Sequence, residues 1–390
     1  MGYKKIIKNA KIYGKDLKDV AISQGHIQKI GENLQGDEIF DAKGLTLLPS
    51  FIDLCVNLKN EKFSLSNLEL LEKECLKSGI STILLRDVMD FDEEAFTLFL
   101  QNLSHRNLQI FSSIKVKEKL RNIATLINKG AVALELDSSL NANILKIAMQ
   151  YALMKKVPIF AKCLNEDFDD NGVMNECALG FELGLIGMSG VGEFSEVAKL
   201  REIANFYQSE IIYDQLSLAK SIRLAQDEAI LVSIHHLIKN ENACENFNTA
   251  AKIKPPLRSE EDRVFLQNAL KEGKIRFLSA AHCPKSINLK DLAFDEAAFG
   301  IHSICEYISL CYSFFIRNHF MSWEKLCEFT SLNAAKFLKL NSGEIKEGKE
   351  ANLVLFDENT TIKAPTNSLY SKDELKGEIK HHLLKGQFVL

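Results

Sequence analysis

The stretch GLTLLPSFIDLCVNLKN, Gly44 to Asn60, begins the part of the chain whose pattern decides the fold. Apolar, β-branched and aromatic residues run through Pro49 and end at Cys55-Val56-Asn57-Leu58-Lys59. Strand alternation places Cys55 and Asn57 on one face, two residues apart at the end of the strand. Similar runs recur downstream as STILLRD (81–87), GAVALELD (130–137), VPIFAKC (157–163), SEIIYDQ (209–215), AILVSIHH (229–236) and KIRFLSAAH (274–282). Segments of helical periodicity lie between them, among them SNLELLEKECLKSG (66–79) and ANILKIAMQYALMKK (142–156). Strand and helix in alternation argue a parallel sheet, and about eight such units argue an α/β fold of the (β/α)8 barrel type.

The two ends of the chain read differently. KKIIKNAKIYG (4–14), DVAISQGHIQKIG (19–31) and EIFDAKGLTLLP (38–49) are short strands broken by glycines. So are GEIKEGKEANLVLFD (343–357) and KGEIKHHLLKGQFVL (376–390). The expected organisation is a small β-sandwich built from residues 1–50 and 343–390, with the barrel at 51–342. A net charge of −4 gives no reason to expect nucleic acid or an anionic membrane as partner. No apolar run approaches the ~20 residues of a membrane span, and the first residues lack a secretory signal pattern. The expected location is the cytoplasm. The nine cysteines form no CxxC pair, which fits reduced and mostly buried thiols.

Five segments, in order, resemble the amidohydrolase superfamily, and specifically the type I dihydroorotases that work beside aspartate carbamoyltransferase in pyrimidine synthesis. DAKGLTLLPSFIDLCVNLK (41–59) resembles that family's DA.G....PGFID.HVHLR, and KIKPPLRSEEDR (252–263) its NPPLR segment. FLSAAHCPKS (277–286) is similar to the ATDHAPH motif, AAFGIHSICEYISL (297–310) to the loop and helix after it, and FTSLNAAKFLKL (329–340) to the C-terminal helix. The resemblance implies two zinc ions held by a His pair on strand one, an Asp, two later His and a last Asp that also serves as general base.

The same comparison implies that this constellation is gone. Cys55 and Asn57 stand for the His pair, and Asp137 lies near the bridging carboxylate. Lys162 and Gln215 stand at the two later His positions, and Ala281 replaces the catalytic Asp beside a retained His282. Substrate contacts are altered too: Lys59 replaces an Arg, Lys254 an Asn and Lys285 a His. The expectation is therefore no intact catalytic residue and no zinc. Without metal, Asp53 and Asp137 need counter-charge, which Lys162, Lys59 and Lys285 are expected to supply. A rebuilt mononuclear site from Cys55, Asp137, Cys163 and His282 is the sharper alternative, although strand alternation turns Cys163 away and Asn57, Gln215 and Lys162 are poor zinc ligands. His235 and His236, adjacent on a strand, cannot both face one site. His381 and His382 are expected to be solvated. The functional expectation is a dihydroorotase-like protein without activity, a structural partner of aspartate carbamoyltransferase within a homo- or hetero-oligomer. The alternatives are an amidohydrolase with an altered metal site and a non-catalytic small-molecule binding protein.

Overall fold

Ser50 separates strands of two different sheets. The computed structural model describes residues 3–87, 93–104, 106–118, 122–225 and 227–390. Before Ser50 lie β1 (Lys4–Ile12), β2 (Leu17–Ser23), β3 (His26–Gly31), β4 (Glu38–Asp41) and β5 (Thr46–Pro49). After it, β6 (Phe51–Val56), β7 (Ile80–Leu85), β8 (Gln109–Lys115), β9 (Ala133–Asp137) and β10 (Ile159–Lys162) begin the barrel. A two-residue pair, β11 (Met174–Asn175) and β12 (Gly187–Met188), lies in the long loop after β10. The barrel resumes with β13 (Ile211–Asp214), β14 (Ala229–Ser233) and β15 (Phe277–Ser279), and the chain ends with β16 (Leu353–Lys363), β17 (Glu374–Leu384) and β18 (Gln387–Phe388).

The eight barrel strands run parallel in chain order from β6 to β15, with helices between most neighbours, as the sequence alternation predicts. The seam between β6 and β15 is closed by one bridge, Val56 to His282, where Asn57 N–H donates to His282 O at 2.7 Å. Asp53 reinforces it by accepting from Ser279 Oγ at 2.5 Å and from Ala280 N–H at 2.8 Å. The two terminal segments join where β5 pairs antiparallel with β16, Leu48 opposite Val354. Their shared core is Ile7, Val20, Ile22, Leu47, Leu353 and Leu355.

The barrel interior is layered. Leu84, Ala133, Phe160, Ile212, Leu231 and Phe277 form an apolar plug, packed with Ala334, Ala335 and Leu338 from the helix region Asn333–Phe337 and its cap. Burying side chains of this size contributes about 1.5–3 kcal/mol each for the larger ones. Two residues further along each strand the alternation presents Arg86, Glu135, Lys162, Asp214, Ser233 and Ser279. The change from apolar to charged layer positions the site. Among the described residues no helix is long and apolar enough to cross a membrane.

Two histidine expectations are corrected. His235 and His236 belong to a short helix, Ile234–Ile238, that Ser233 caps, so both are buried: His235 against Tyr370 Oη (2.8 Å) and Ala280 O (2.9 Å), His236 against the carbonyls of Pro255 and Pro256. His382 is also fully buried, held by Ser50 Oγ at 2.9 Å and Leu76 O at 2.8 Å, because the terminal sheet packs on the helix Leu65–Lys77 there.

Candidate functional site at the barrel mouth

At the C-terminal ends of the strands lies a cavity of ≈ 260 Å³ whose wall includes Asn57, Asp87, Lys115, Lys162, Gln215 and Ala281. Behind the cavity-lining Asp214 lies a buried floor, the guanidinium of Arg86, from the turn after β7. Arg86 donates through Nη2 to Asp214 Oδ2 at 2.7 Å and through Nη1 to Leu54 O at 3.2 Å. Its Nε lies 3.2 Å from Glu135 Oε2, and its plane lies 4.2 Å from the centre of the Phe160 ring. All three charged side chains are almost wholly buried, Arg86 at 1% exposure. Burial would lower the Arg86 pKa, but Asp214 and Glu135 overcome it and hold the guanidinium firmly charged.

A second tier sits above this one. Asp87 accepts from Lys115 Nζ and Lys162 Nζ, each at 2.9 Å, and from Asn57 Nδ2 at 3.1 Å. Its own N–H donates to Glu135 Oε1 at 3.0 Å, which ties the two tiers together. Lys115 also reaches Asp137 at 3.3 Å. Burial would raise the Asp87 carboxyl, yet the Lys162 and Lys115 ammonium groups hold it far below the usual carboxylate range. Lys162 is likewise held charged, its desolvation outweighed by Asp87, Glu135 and Asp214. Three cations thus face four carboxylates in one connected network.

Three strand ends in this mouth adopt left-handed backbone without glycine: Asp87 (φ 50°), Gln215 (φ 59°) and Ala281 (φ 48°). Each costs on the order of 1 kcal/mol and persists because the surrounding structure fixes it.

The expected site residues divide into groups. Cys55, Asn57, Lys162, Gln215 and Ala281 all come to the mouth or its floor, and Gln215 Nε2 contacts Cys55 Sγ at 3.3 Å. Burial and the Asp214 carboxylate push the Cys55 thiol well above its usual range, so it stays a neutral thiol. Asp137 is at the rim, paired by Lys115 and not by Lys162. Asp53 has no lysine or arginine within ion-pair distance among the described residues. Three hydrogen bonds, from Cys55 N–H, Ser279 and Ala280, satisfy it, while burial pushes it up to about 6. Lys254 borders the cavity, its ammonium 3.7 Å from Glu166 and 5.9 Å from the Phe299 ring. Lys59 is exposed and outside the cavity, because the turn Lys59–Glu61 carries it outward. Lys285 is spent on Glu61 at 2.6 Å. His282 is buried behind the mouth as a neutral ring whose Nδ1 accepts from Ser303 and Ile304 N–H. Cys163 packs in the core between barrel and helices as well as touching the cavity wall.

Counter-charge in this mouth therefore comes from Arg86, Lys115 and Lys162; the expected contributions of Lys59 and Lys285 are absent. Two zinc ions do not fit this donor set. Amide, methyl and ammonium groups offer no good ligand at four of the positions, and Asp87, Glu135, Asp137 and Asp214 are each paired with a cation that would repel a metal. Arg86, Asp87, Lys115, Glu135 and Asp214 were not singled out from the sequence. For two of them a signal was present: Glu135 lies two residues before Asp137 and Asp214 one before Gln215, on strand ends that flank β10.

Residues 196–389 match the amidohydrolase family. A probable dihydroorotase-like protein of Helicobacter pylori strain J99 is 30% identical, over 98% of this chain and 97% of that protein. A dihydroorotase of Elusimicrobium minutum is 28% identical, over 96% and 91%. Among solved structures, L-hydantoinase from Arthrobacter aurescens superposes with a TM-score of 0.86 at 17% identity, over 99% of this chain and 96% of that one. A D-hydantoinase gives 0.84 at 18%, over 99% and 95%. At such identities these two likenesses speak for the fold alone.

Proposed function

The chain belongs to the dihydroorotase-like family of the amidohydrolase superfamily, and from that premise we propose that it is a non-catalytic member kept for its shape, a cytoplasmic structural partner of aspartate carbamoyltransferase. The observation that carries the first half is the pair of tiers at the mouth. Hydrolysis of a cyclic amide by a dizinc site requires a polarised carbonyl, an activated water and a base within reach of it. Here Arg86, Lys115 and Lys162 take the electrostatic place of metal, Ala281 presents a methyl group where the base would be, and Asp87 is tied down by two ammonium groups and an amide. Fixed side-chain cations neutralise the acids without activating water.

The second half rests on what has been retained. Barrel, seam and terminal β-domain are all present around a mouth with Ala281 at the position read as the family's base, which suits a constraint on surface and shape. Ligand binding without turnover stands second: the cavity, at ≈ 260 Å³, is a little smaller than the about 300–1,000 Å³ of common small-molecule sites.

Two measurements test the proposal. Purified protein supplied with zinc should not interconvert carbamoyl aspartate and dihydroorotate; robust turnover refutes the non-catalytic reading. Mixed with the aspartate carbamoyltransferase of its own organism, it should elute as one complex by size exclusion with light scattering. Obligate interfaces bury upwards of about 2,000 Å², so the complex should survive micromolar dilution. Separate elution at physiological salt overturns the partnership.

A further inference from the structure

We propose that Glu74, His302 and Cys305 form a divalent-cation site of the zinc class that clips the outer layer of the barrel across its closing seam. The site is outside the mouth and independent of the chemistry argued above. Glu74 lies near the end of the helix Leu65–Lys77, which follows β6. His302 and Cys305 flank the start of the short helical turn Ile304–Glu306, downstream of β15. β6 and β15 are the two strands that close the barrel, and the bridge from Val56 to His282 and the hydrogen bonds of Asp53 to Ser279 and Ala280 hold that seam. A cation held by these three side chains would therefore tie the helix of the first unit to the loop of the last.

The geometry is close to a ligand set. His302 Nε2 lies 3.1 Å from each oxygen of Glu74, and the ligand atoms of all three residues fall within 4.8 Å of one another. Tetrahedral zinc, with bonds of about 2.0–2.3 Å, sets its ligands roughly 3.3–3.8 Å apart. Closing the set needs a movement of about 1 Å, which exposed Cys305 can make by side-chain rotation. The His302 ring is steadied from behind by His282, 5.0 Å away and edge-on, and His282 is itself the seam residue. Carboxylate, imidazole and thiolate together suit zinc or cobalt and not magnesium or calcium. Exposure of His302 and Cys305 leaves a fourth position open to water. Binding to the folded chain alone would stabilise it by mass action.

Cobalt(II) is the probe. Chelator-stripped protein titrated with Co²⁺ should bind one equivalent and develop thiolate-to-cobalt charge-transfer absorption in the near ultraviolet. Cys305→Ser should abolish that band, and His302→Gln and Glu74→Gln should each weaken binding at least about tenfold. Cys55→Ser, in the mouth, should leave the band intact. Zinc at a hundredfold excess over its Kd should raise the unfolding midpoint of the unmodified protein by about 3–5 °C and leave that of Cys305→Ser unchanged. His302 and Cys305 are exposed and Glu74 is half-buried. The metal-free midpoint of Cys305→Ser should therefore match the unmodified protein, and those of His302→Gln and Glu74→Gln should fall by no more than their exposed ion pair is worth, which shows that the variants fold. No band in the unmodified protein, an undiminished band in Cys305→Ser, or loss of the band in Cys55→Ser each overturns the site. None of these outcomes bears on the turnover assay, so the two proposals fail separately.

Discussion

Replacing Arg86 with methionine tests the central claim about the mouth. The substitution keeps an unbranched side chain of similar length and removes the guanidinium, including its place over Phe160. Among the described residues Asp214 then has no hydrogen-bond partner at either oxygen, since Oδ1 has none already and Oδ2 has only Arg86. Glu135 keeps Ser113 and the Asp87 amide but loses its buried cation. Removing one partner from a buried ion pair costs about 3–5 kcal/mol, because the remaining charge stays desolvated and unpaired. An unfolding entropy of about 2.1 cal/mol/K per residue gives roughly 0.8 kcal/mol/K for a chain of this length, so ~4 kcal/mol lowers Tm by about 5 °C at neutral pH. The orphaned acids would be relieved by taking up protons in the folded state. The deficit against the unmodified protein should then shrink as pH falls from 8 to 5. Adding Asp214→Asn to the variant should recover part of the loss at neutral pH. Scanning calorimetry across that range reads all three results. A change in Tm below 1 °C, or a deficit that widens at low pH, would refute the idea that a buried cation neutralises this floor.

Two further outcomes follow from the same geometry. Burial holds Asp53 up at about 6, so the folded chain keeps a proton that the unfolded chain releases near the ordinary value of about 4. Its contribution to stability therefore falls as pH rises between those values, and Asp53→Asn should flatten that limb of the Tm profile; an unchanged slope would show the shift is not there. Restoring only the first pair, with Cys55→His and Asn57→His, should yield neither turnover nor a metal ion in the mouth, since Lys162, Gln215 and Ala281 still withhold ligands and base. Recovered hydrolysis in a zinc-supplemented assay would mean the remaining residues suffice.

The barrel was legible because inward positions recur every second residue and helices intervene, a pattern that survives any change of chemistry. The placement of Cys55, Lys162, Gln215 and Ala281 at the mouth was legible for the same reason: they occupy strand ends, whose location the alternation fixes. Arg86 was not. It is the last residue but one of STILLRD, a run whose sequence comparison pointed only to a missing Asn, and its partners lie on β9 and β13, far away in the chain. Long-range pairing of this kind depends on barrel closure and leaves no local trace. The Lys115 contribution was hidden likewise, by the distance in sequence from Asp87. His382 was misjudged because its neighbour His381 is only partly buried; the fold covers one of the two with the end of a helix more than three hundred positions earlier. His235 and His236 were misjudged because Ser233 caps a helix where a continuing strand was read.

The interlocked tiers also bear on ancestry. Arg86 serves two acids at once, and Asp87 serves two lysines while its backbone reaches Glu135. A step toward a metal-binding mouth at Lys162 removes a cation before a metal can replace it, and Asp87 is left with one ammonium partner fewer. An intermediate several kcal/mol less stable stands close to the whole margin of a typical domain. Purifying selection would discard it before a second substitution arrived. On the proposed non-catalytic reading, stability itself resists a change at Lys162, and a laboratory path to a metal-binding mouth would have to change Lys162 together with its partner Asp87.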